Sequence, residues 1–324
     1  MILASGFIAF KLLGFLSASI QVPSYLTFFR HFLFSSSSKV KTFDGRVNVL
    51  ILGKGGEGHT AADLTDTIIF ASVSFKKPSV VLVSLSRDIW VPAIRAKLNS
   101  AYYWGNQKKD KGGLILAKAT VEEIVGQPVQ YGVVFDFSSF KKIVEAIGGI
   151  EVNVERGFID EKYPVTGKEK DECGGDPEFL CRYETISFTA GKQKMDGETA
   201  LKFVRSRNAE GEEGTDLARE ARQQKVIQAI KKKMLSPVVL LNPARLVALW
   251  RAVTTSIETD LDIATSAVLA KRILFTGKST KSLVLPAEYL ENPPKSSRYD
   301  NQYVFIPKEG NWEEIHGWTD DLLQ

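Results

Sequence analysis

Apolar and polar positions divide the chain into short elements. "RVNVLILG" (46–53) is almost continuously apolar and stops at a glycine, which predicts a buried strand. "DTIIFASVS" (66–74) and "KKPSVVLVSLS" (76–86) predict two more strands, with "KKP" as the turn between them. "GLILAKATVEEIV" (113–125) has the period of an amphipathic helix and ends at Gly126. "VQYGVVFDF" predicts a strand, "SSFKKIVEAIGG" a Ser-capped helix stopped by a glycine pair, and "IEVNV" a further strand. "DGETALKFV" and "TDLAREARQQKVIQAIKKKML" predict helices behind N-cap candidates. Beyond Pro237, "NPARLVALWRAVTTSIET" and "DIATSAVLAKRILF" predict helices, and "KSLVLP" and "YVFIP" short strands. Residues 155–188 form a polar insertion. Strands and helices interleave, which implies a layered α/β domain with no internal repeat and no second-domain boundary.

The N-terminus departs from this pattern. "LLGFLSASIQVPSYLTFF" (12–29) is uncharged and mostly apolar. Its length of about 18 residues reaches about 27 Å as a helix, close to the hydrocarbon thickness of a bilayer. Pro23 would kink it, and the apolar "MILASGFIAF" before it extends the candidate span. We expect a signal anchor over residues 1–34. The alternative is a cleaved signal peptide, against which stands the lack of a small-x-small site before a polar start. "SSSSKVK" opens a tether over residues 35–45.

Composition adds little beyond globularity: 324 residues, 44% apolar and 25% charged. The net charge of +4 is a mild excess that does not fit a nucleic-acid partner. Cys173 and Cys181 stand eight apart without a nearby histidine, a poor zinc set. In an oxidising compartment they would close a disulfide loop; otherwise they are free thiols in a loop.

Three stretches could carry chemistry. "GKGGEGHT" (53–60) nearly spells a phosphate-binding loop, but His59 takes the lysine position and a strand pattern follows where a helix is required. "SLSRDIWVP" (84–92) presents Arg87 and Asp88 at a strand end, either as a ligand site or as an ordinary ion pair. "VRSRNAEGEEGTDLAREARQQK" (204–225) holds Arg205, Arg207, Arg219 and Arg222. Asp216, Arg219 and Gln223 share one helix face, and an extended segment would project Arg205 and Arg207 to one side, towards Arg219. A solvated salt-bridged pair of helices is the alternative. Arginine rather than lysine at all four of these positions favours bidentate phosphate binding.

These motifs together, "VNVLILG", "LTDTIIFASV", "VVLVSLSRDIWVP", "KLNSAYYWG", "IVEAIGGIEVNV", "AGKQKMDGETALKFVRSR" and "TDLAREARQQ", resemble the LytR-CpsA-Psr family over about Arg46 to Leu235. The resemblance implies an α/β/α sandwich with a central mixed sheet, a catalytic domain over 46–324, and residues 236–324 completing it. It implies a bacterial membrane protein, single-pass, with its catalytic domain outside. The implied activity is transfer of a glycopolymer phosphate from a polyprenyl-pyrophosphate carrier to a peptidoglycan hydroxyl, that of muramic acid O6, with release of polyprenyl phosphate. It also implies an apolar tunnel for the lipid.

By motif, Arg87, Asp88, Arg205, Arg207 and Arg219 take catalytic positions. Lys97, Asp216 and Gln223 join them as pyrophosphate ligands, and Asp66 is a magnesium ligand. Gly55 stands where the family usually has a second magnesium aspartate, and Leu64 where it usually has an arginine. Glu57, Asp63 or His59 could compensate, so Mg2+ is expected with that reservation. Phosphoryl transfer asks mainly for positioning and charge neutralisation, which the arginines would supply, with Asp88 as candidate proton acceptor. Ile115, Val121 and Ile124 either line the tunnel or pack in the core. Three rival functions remain: a non-catalytic polyprenyl-phosphate-binding regulator, a lipid pyrophosphate hydrolase, and a transferase with a protein acceptor. Nothing in the sequence speaks to oligomeric state.

Overall fold

The apolar run at 46–53 becomes β1 (Arg46–Lys54), buried along nearly its whole length, in a computed structural model of the chain. The structure describes residues 24–35, 40–56, 61–108, 111–276 and 279–324, without the side chains of residues 216 and 217. β1 lies inside a six-stranded sheet of order β11-β6-β1-β2-β3-β12. The other strands are β2 (Thr65–Ser74), β3 (Val80–Ser84), β6 (Tyr131–Asp136), β11 (Ile257–Thr259) and β12 (Thr280–Val284). β6 is parallel to β1 and β12 to β3, while the β1/β2, β2/β3 and β6/β11 pairs are antiparallel. The sheet is therefore mixed, and both its edges come from beyond residue 236.

Side-chain alternation makes the layers. Leu50, Leu52, Ile68 and Phe70 face one side and meet Leu114, Val121 and Ile124 of α3 (Gly112–Val125). Val47, Val49, Ala71 and Val73 face the other and meet Val268 and Leu269 of α9 (Ile263–Leu274). Burying one such side chain contributes about 1.5–3 kcal/mol. Val121 and Ile124 are thus core residues, and Ile115 is 59% exposed, so none of the three lines a tunnel. On the α3 side, α2 (Ala101–Lys108) packs against α3, and Ile315 of α10 (Glu313–Leu323) enters the same core.

A second core lies beside the sheet. It joins α4 (Phe137–Ala146), α5 (Gly197–Arg205) and α6 (Asp216–Met234) to the β7/β10 pair (Ile150–Val154, Gly191–Met195). α7 (Pro237–Leu240) and α8 (Pro243–Ser256) close it. Residues 155–188 are more than a polar insertion: they contain the antiparallel hairpin β8 (Phe158–Pro164) and β9 (Tyr183–Phe188). Phe158, Asp160 and Tyr163 turn inward while charged neighbours face solvent, which masks the strand in composition. Cys173 and Cys181 form a disulfide in the loop between these strands.

Several predicted boundaries shift. The cap of α4 is Asp136, not a serine: its side chain accepts from the Ser139 N–H at 2.7 Å. "SIET" does not continue α8; the helix stops at Ser256 and β11 pairs with β6. "YVFIP" yields only β14 (Ile306–Pro307), paired with β13 (Leu290–Glu291). Two further short strands, β4 (Trp90–Val91) and β5 (Ala96–Lys97), follow β3.

α1 (Ser24–Phe34) begins the described chain. Its Phe28 lies 5.0 Å from Trp250 and its Phe32 6.3 Å from Phe275, so it docks on α8 and the end of α9. No helix among the described residues is long and apolar enough to cross a membrane. The expected anchor falls largely on residues 1–23, outside the described residues. In the expected tether, Val40 is buried in the core with Val47 and Val49, while residues 36–39 lie outside the described residues.

Candidate functional site

β3 ends at Ser84, and the chain continues into Leu85, Ser86, Arg87 and Asp88 beside the start of β2, where Asp66 stands. These residues line a cavity of ≈ 310 Å³ together with Arg219 and Gln223 from α6. The remaining wall is largely apolar, with Ile68, Leu85, Val284, Leu285, Leu290 and Phe305. Three sequence-distant segments therefore bring Asp66, Arg87, Asp88, Arg219 and Gln223 to one cavity. The Thr215 cap starts α6 by accepting from the Ala218 N–H at 3.2 Å, which sets the phase of the helix that carries Arg219.

The charges at this wall are interlocked. Arg87 Nη1 donates to Asp66 Oδ1, and its Nε lies 3.6 Å from Asp88 Oδ2. Lys97 Nζ donates to Asp88 Oδ1 at 2.7 Å. Lys97, placed by the short β5 strand, thus reaches the site through Asp88. Arg219 is buried, with 7% of its surface exposed. A guanidinium fork at a cavity wall suits a site for an anionic head group.

Arg205 and Arg207 do not line this cavity. Arg205 is the last residue of α5 rather than part of an extended segment. The Asp196 cap and buried Leu201 and Phe203 carry the helix that far. Its guanidinium stacks on the Phe137 ring at 4.1 Å, and its Nη1 donates to the Tyr163 hydroxyl at 3.3 Å. Burial pushes the Tyr163 hydroxyl up to about 12, against the opposing effect of the Arg205 charge. Arg207 has an exposed side chain. Asp216 opens α6, but its side chain lies outside the described residues.

Two structural residues here escaped the sequence reading. Asp160, fully buried, accepts from the Ser206 hydroxyl at 2.7 Å and from the backbone N–H groups of Arg207 and Asn208 at 3.1 and 3.2 Å. Arg222, 2% exposed, donates to the carbonyls of Phe203, Ser206 and Glu213 at 2.9, 2.7 and 2.8 Å. Together they fix the turn that follows α5. The signal for Asp160 was a carboxylate at an inward position of an alternating strand; for Arg222 it was the arginine left over from the helix face.

The described residues do not assemble the magnesium site that the resemblance implies. Asp66 is engaged by Arg87, and Gly55 offers no side chain beside it. Asp63 is held by Lys54 Nζ at 2.6 Å. Glu57 and His59 lie outside the described residues. Among the described residues, the one cluster of three potential ligands is Asp171, Cys173 and Cys181, whose two cysteines are joined in the disulfide. The "GKGGEGHT" stretch runs on into β2, a strand, as a phosphate-binding loop would not.

The class is thus a mixed α/β protein with a largely apolar cavity whose wall carries the guanidinium groups of Arg87 and Arg219. The chain belongs to the LytR_cpsA_psr family, whose model matches residues 31–319. It is 31% identical over 263 residues to the polyisoprenyl-teichoic acid–peptidoglycan teichoic acid transferase TagU of Enterococcus faecalis, covering 79% of this chain and 75% of that protein. It is also similar to the regulatory protein MsrR of Staphylococcus aureus, 24% identical over 86% of this chain and 76% of that one. Among solved structures, that of TagV from B. subtilis superposes with a TM-score of 0.60 at 23% identity, covering 87% of this chain and 98% of that chain. That last likeness concerns the fold.

Proposed function

We propose that this chain transfers a phosphate-linked glycopolymer from a polyprenyl-pyrophosphate carrier to a hydroxyl of peptidoglycan, releasing polyprenyl phosphate. The observation that carries this reading is the cavity of ≈ 310 Å³ in which apolar side chains and the guanidinium groups of Arg87 and Arg219 share one wall. An isoprenoid chain needs the first and a pyrophosphate the second. The names of the TagU and TagV relatives support the glycopolymer and peptidoglycan as substrates.

In the proposed reaction the acceptor hydroxyl oxygen attacks the glycan-side phosphorus. The bond from that phosphorus to the bridging oxygen breaks, and the electron pair leaves with polyprenyl phosphate. Arg87 and Arg219 neutralise charge on the departing phosphate, the contribution such sites ask of the protein. Gln223 orients a phosphate oxygen. Asp88 receives the hydroxyl proton. Lys97 and Arg87 beside it fix the carboxylate in position. In a loose transition state the protein's task is mainly to position the hydroxyl and neutralise charge. The disulfide between Cys173 and Cys181 supports an oxidising compartment, and with the apolar N-terminus supports a membrane-bound protein whose catalytic domain lies outside.

The test is incubation of the purified full chain with a polyprenyl-pyrophosphate-linked glycan, with and without peptidoglycan fragments. Release of polyprenyl phosphate only when the fragments are present is the expected result. Equal release without them would make the protein a hydrolase. Tight binding without release would make it a binding regulator, the reading that the substitution at Gly55 and the likeness to MsrR favour.

A further inference from the structure

A second cavity, of ≈ 550 Å³, lies at the carboxyl ends of β1 and β6. Gly55 and Asp136, at those two ends, line it, and it shares no lining residue with the cavity of Arg87 and Arg219. Asp66, in the first cavity, stands on β2 next to the residue paired with Lys54. The two cavities therefore flank one rim of the sheet, about one or two strand spacings apart, each strand spacing being about 4.8 Å.

The walls of the second cavity are chemically unlike those of the first. Phe137 offers an aromatic ring, Thr254 and Thr255 offer hydroxyl-bearing side chains, and Lys141, Lys142, Asp136, Glu198 and Glu258 bring charge of both signs. Lys141 Nζ donates to Glu198 at 3.0 Å, and Lys142 Nζ to the Ser256 hydroxyl at 3.4 Å. An isoprenoid chain would have to strip water from these groups without replacing their hydrogen bonds, which is costly. A sugar would not: its hydroxyls exchange hydrogen bonds with threonine and carboxylate, and its C–H face lies on an aromatic ring. Arg205, stacked at 4.1 Å on the Phe137 ring, connects this cavity to the turn held by Asp160.

We propose that this cavity is the acceptor subsite, where an amino-sugar chain sits with its hydroxyl directed across the rim towards the pyrophosphate. The proposal rests on the transfer reading above and assigns its second substrate a place.

Calorimetric titration of the full chain with two probes tests it: a soluble N-acetylglucosaminyl–N-acetylmuramyl peptide, and a short-chain prenyl monophosphate. Lys142→Glu reverses charge at an exposed position, and Thr255→Trp fills the cavity from an exposed position. Each is expected to weaken the muramyl probe by about tenfold or more while prenyl phosphate affinity stays within about twofold. Arg219→Ala is expected to do the reverse. Unchanged muramyl binding in both cavity variants overturns the proposal, as does no muramyl binding by the wild type. In both cases intact prenyl phosphate binding leaves the donor reading standing. Loss of prenyl phosphate binding in the wild type would instead sink the transfer reading itself.

Discussion

Asp160 accepts the Ser206 hydroxyl at 2.7 Å, and this bond ties the β8 strand to the turn between Arg205 and Arg207. The same carboxylate oxygen takes the next two backbone N–H groups, so the direction of both arginine side chains depends on an acid in a different segment. Asp160→Ala would leave several buried donors without an acceptor. A loss of about 2–4 kcal/mol is expected, read by urea denaturation, with Asp160→Asn losing less because its amide oxygen still accepts.

Arg222 grips the same turn from the other side through three carbonyls. Burial holds its guanidinium below the ordinary arginine range, against the raising effect of Glu213. Lysine cannot reproduce a fork that reaches Phe203, Ser206 and Glu213 together. Arg222→Lys is expected to destabilise the fold by about 2–3 kcal/mol, read by thermal or chemical unfolding.

Arg87 and Arg219 act on the substrate rather than on the fold. Arg87→Ala and Arg219→Ala are each expected to slow polyprenyl phosphate release by about 10²–10³-fold. Arg87→Ala has a second effect, since Asp66 and Asp88 lose their shared cation. A rate within about threefold of wild type for either variant would remove that arginine from the proposed chemistry.

α9 offers a pH-dependent test. Asp262 caps it, accepting from the Thr265 hydroxyl at 2.6 Å and the Thr265 N–H at 2.9 Å. These bonds hold its carboxyl below the usual 3.8. A depressed folded-state value contributes stability above pH 3.8 that is lost as the pH falls through the depressed value. Asp262→Ala should cost about 1 kcal/mol at neutral pH. The gap to wild type should close below pH 3.8, as measured by denaturation at a series of pH values.

What the sequence disclosed follows from how directly each signal reports its own surroundings. β1 was legible because a strand buried on both faces has to be apolar nearly throughout. β11 was not: Ile257–Thr259 is too short to show a period and follows a helix without a glycine or proline to mark the break. β8 was hidden by Glu161 and Lys162, which face solvent between the inward Asp160 and Tyr163. The same limit governs the site. Arg87, at a strand end, and Arg219 and Gln223, on one helix face, have directions set by local geometry. Arg205 and Arg207 sit at a helix end and in a turn whose path Asp160 and Arg222 decide, so their spacing alone does not set where their side chains go. The second cavity left no motif because its lining comes from the ends of elements far apart in the chain.

The central claim is that guanidinium groups at an apolar cavity hold the pyrophosphate of a lipid. The most direct test is a crystal structure of the protein with a prenyl pyrophosphate bound. The account predicts phosphate oxygens within about 3 Å of Arg87 and Arg219, with the isoprenoid chain against Ile68, Leu285 and Phe305. Phosphates bound elsewhere, with that cavity filled only by solvent, would contradict it.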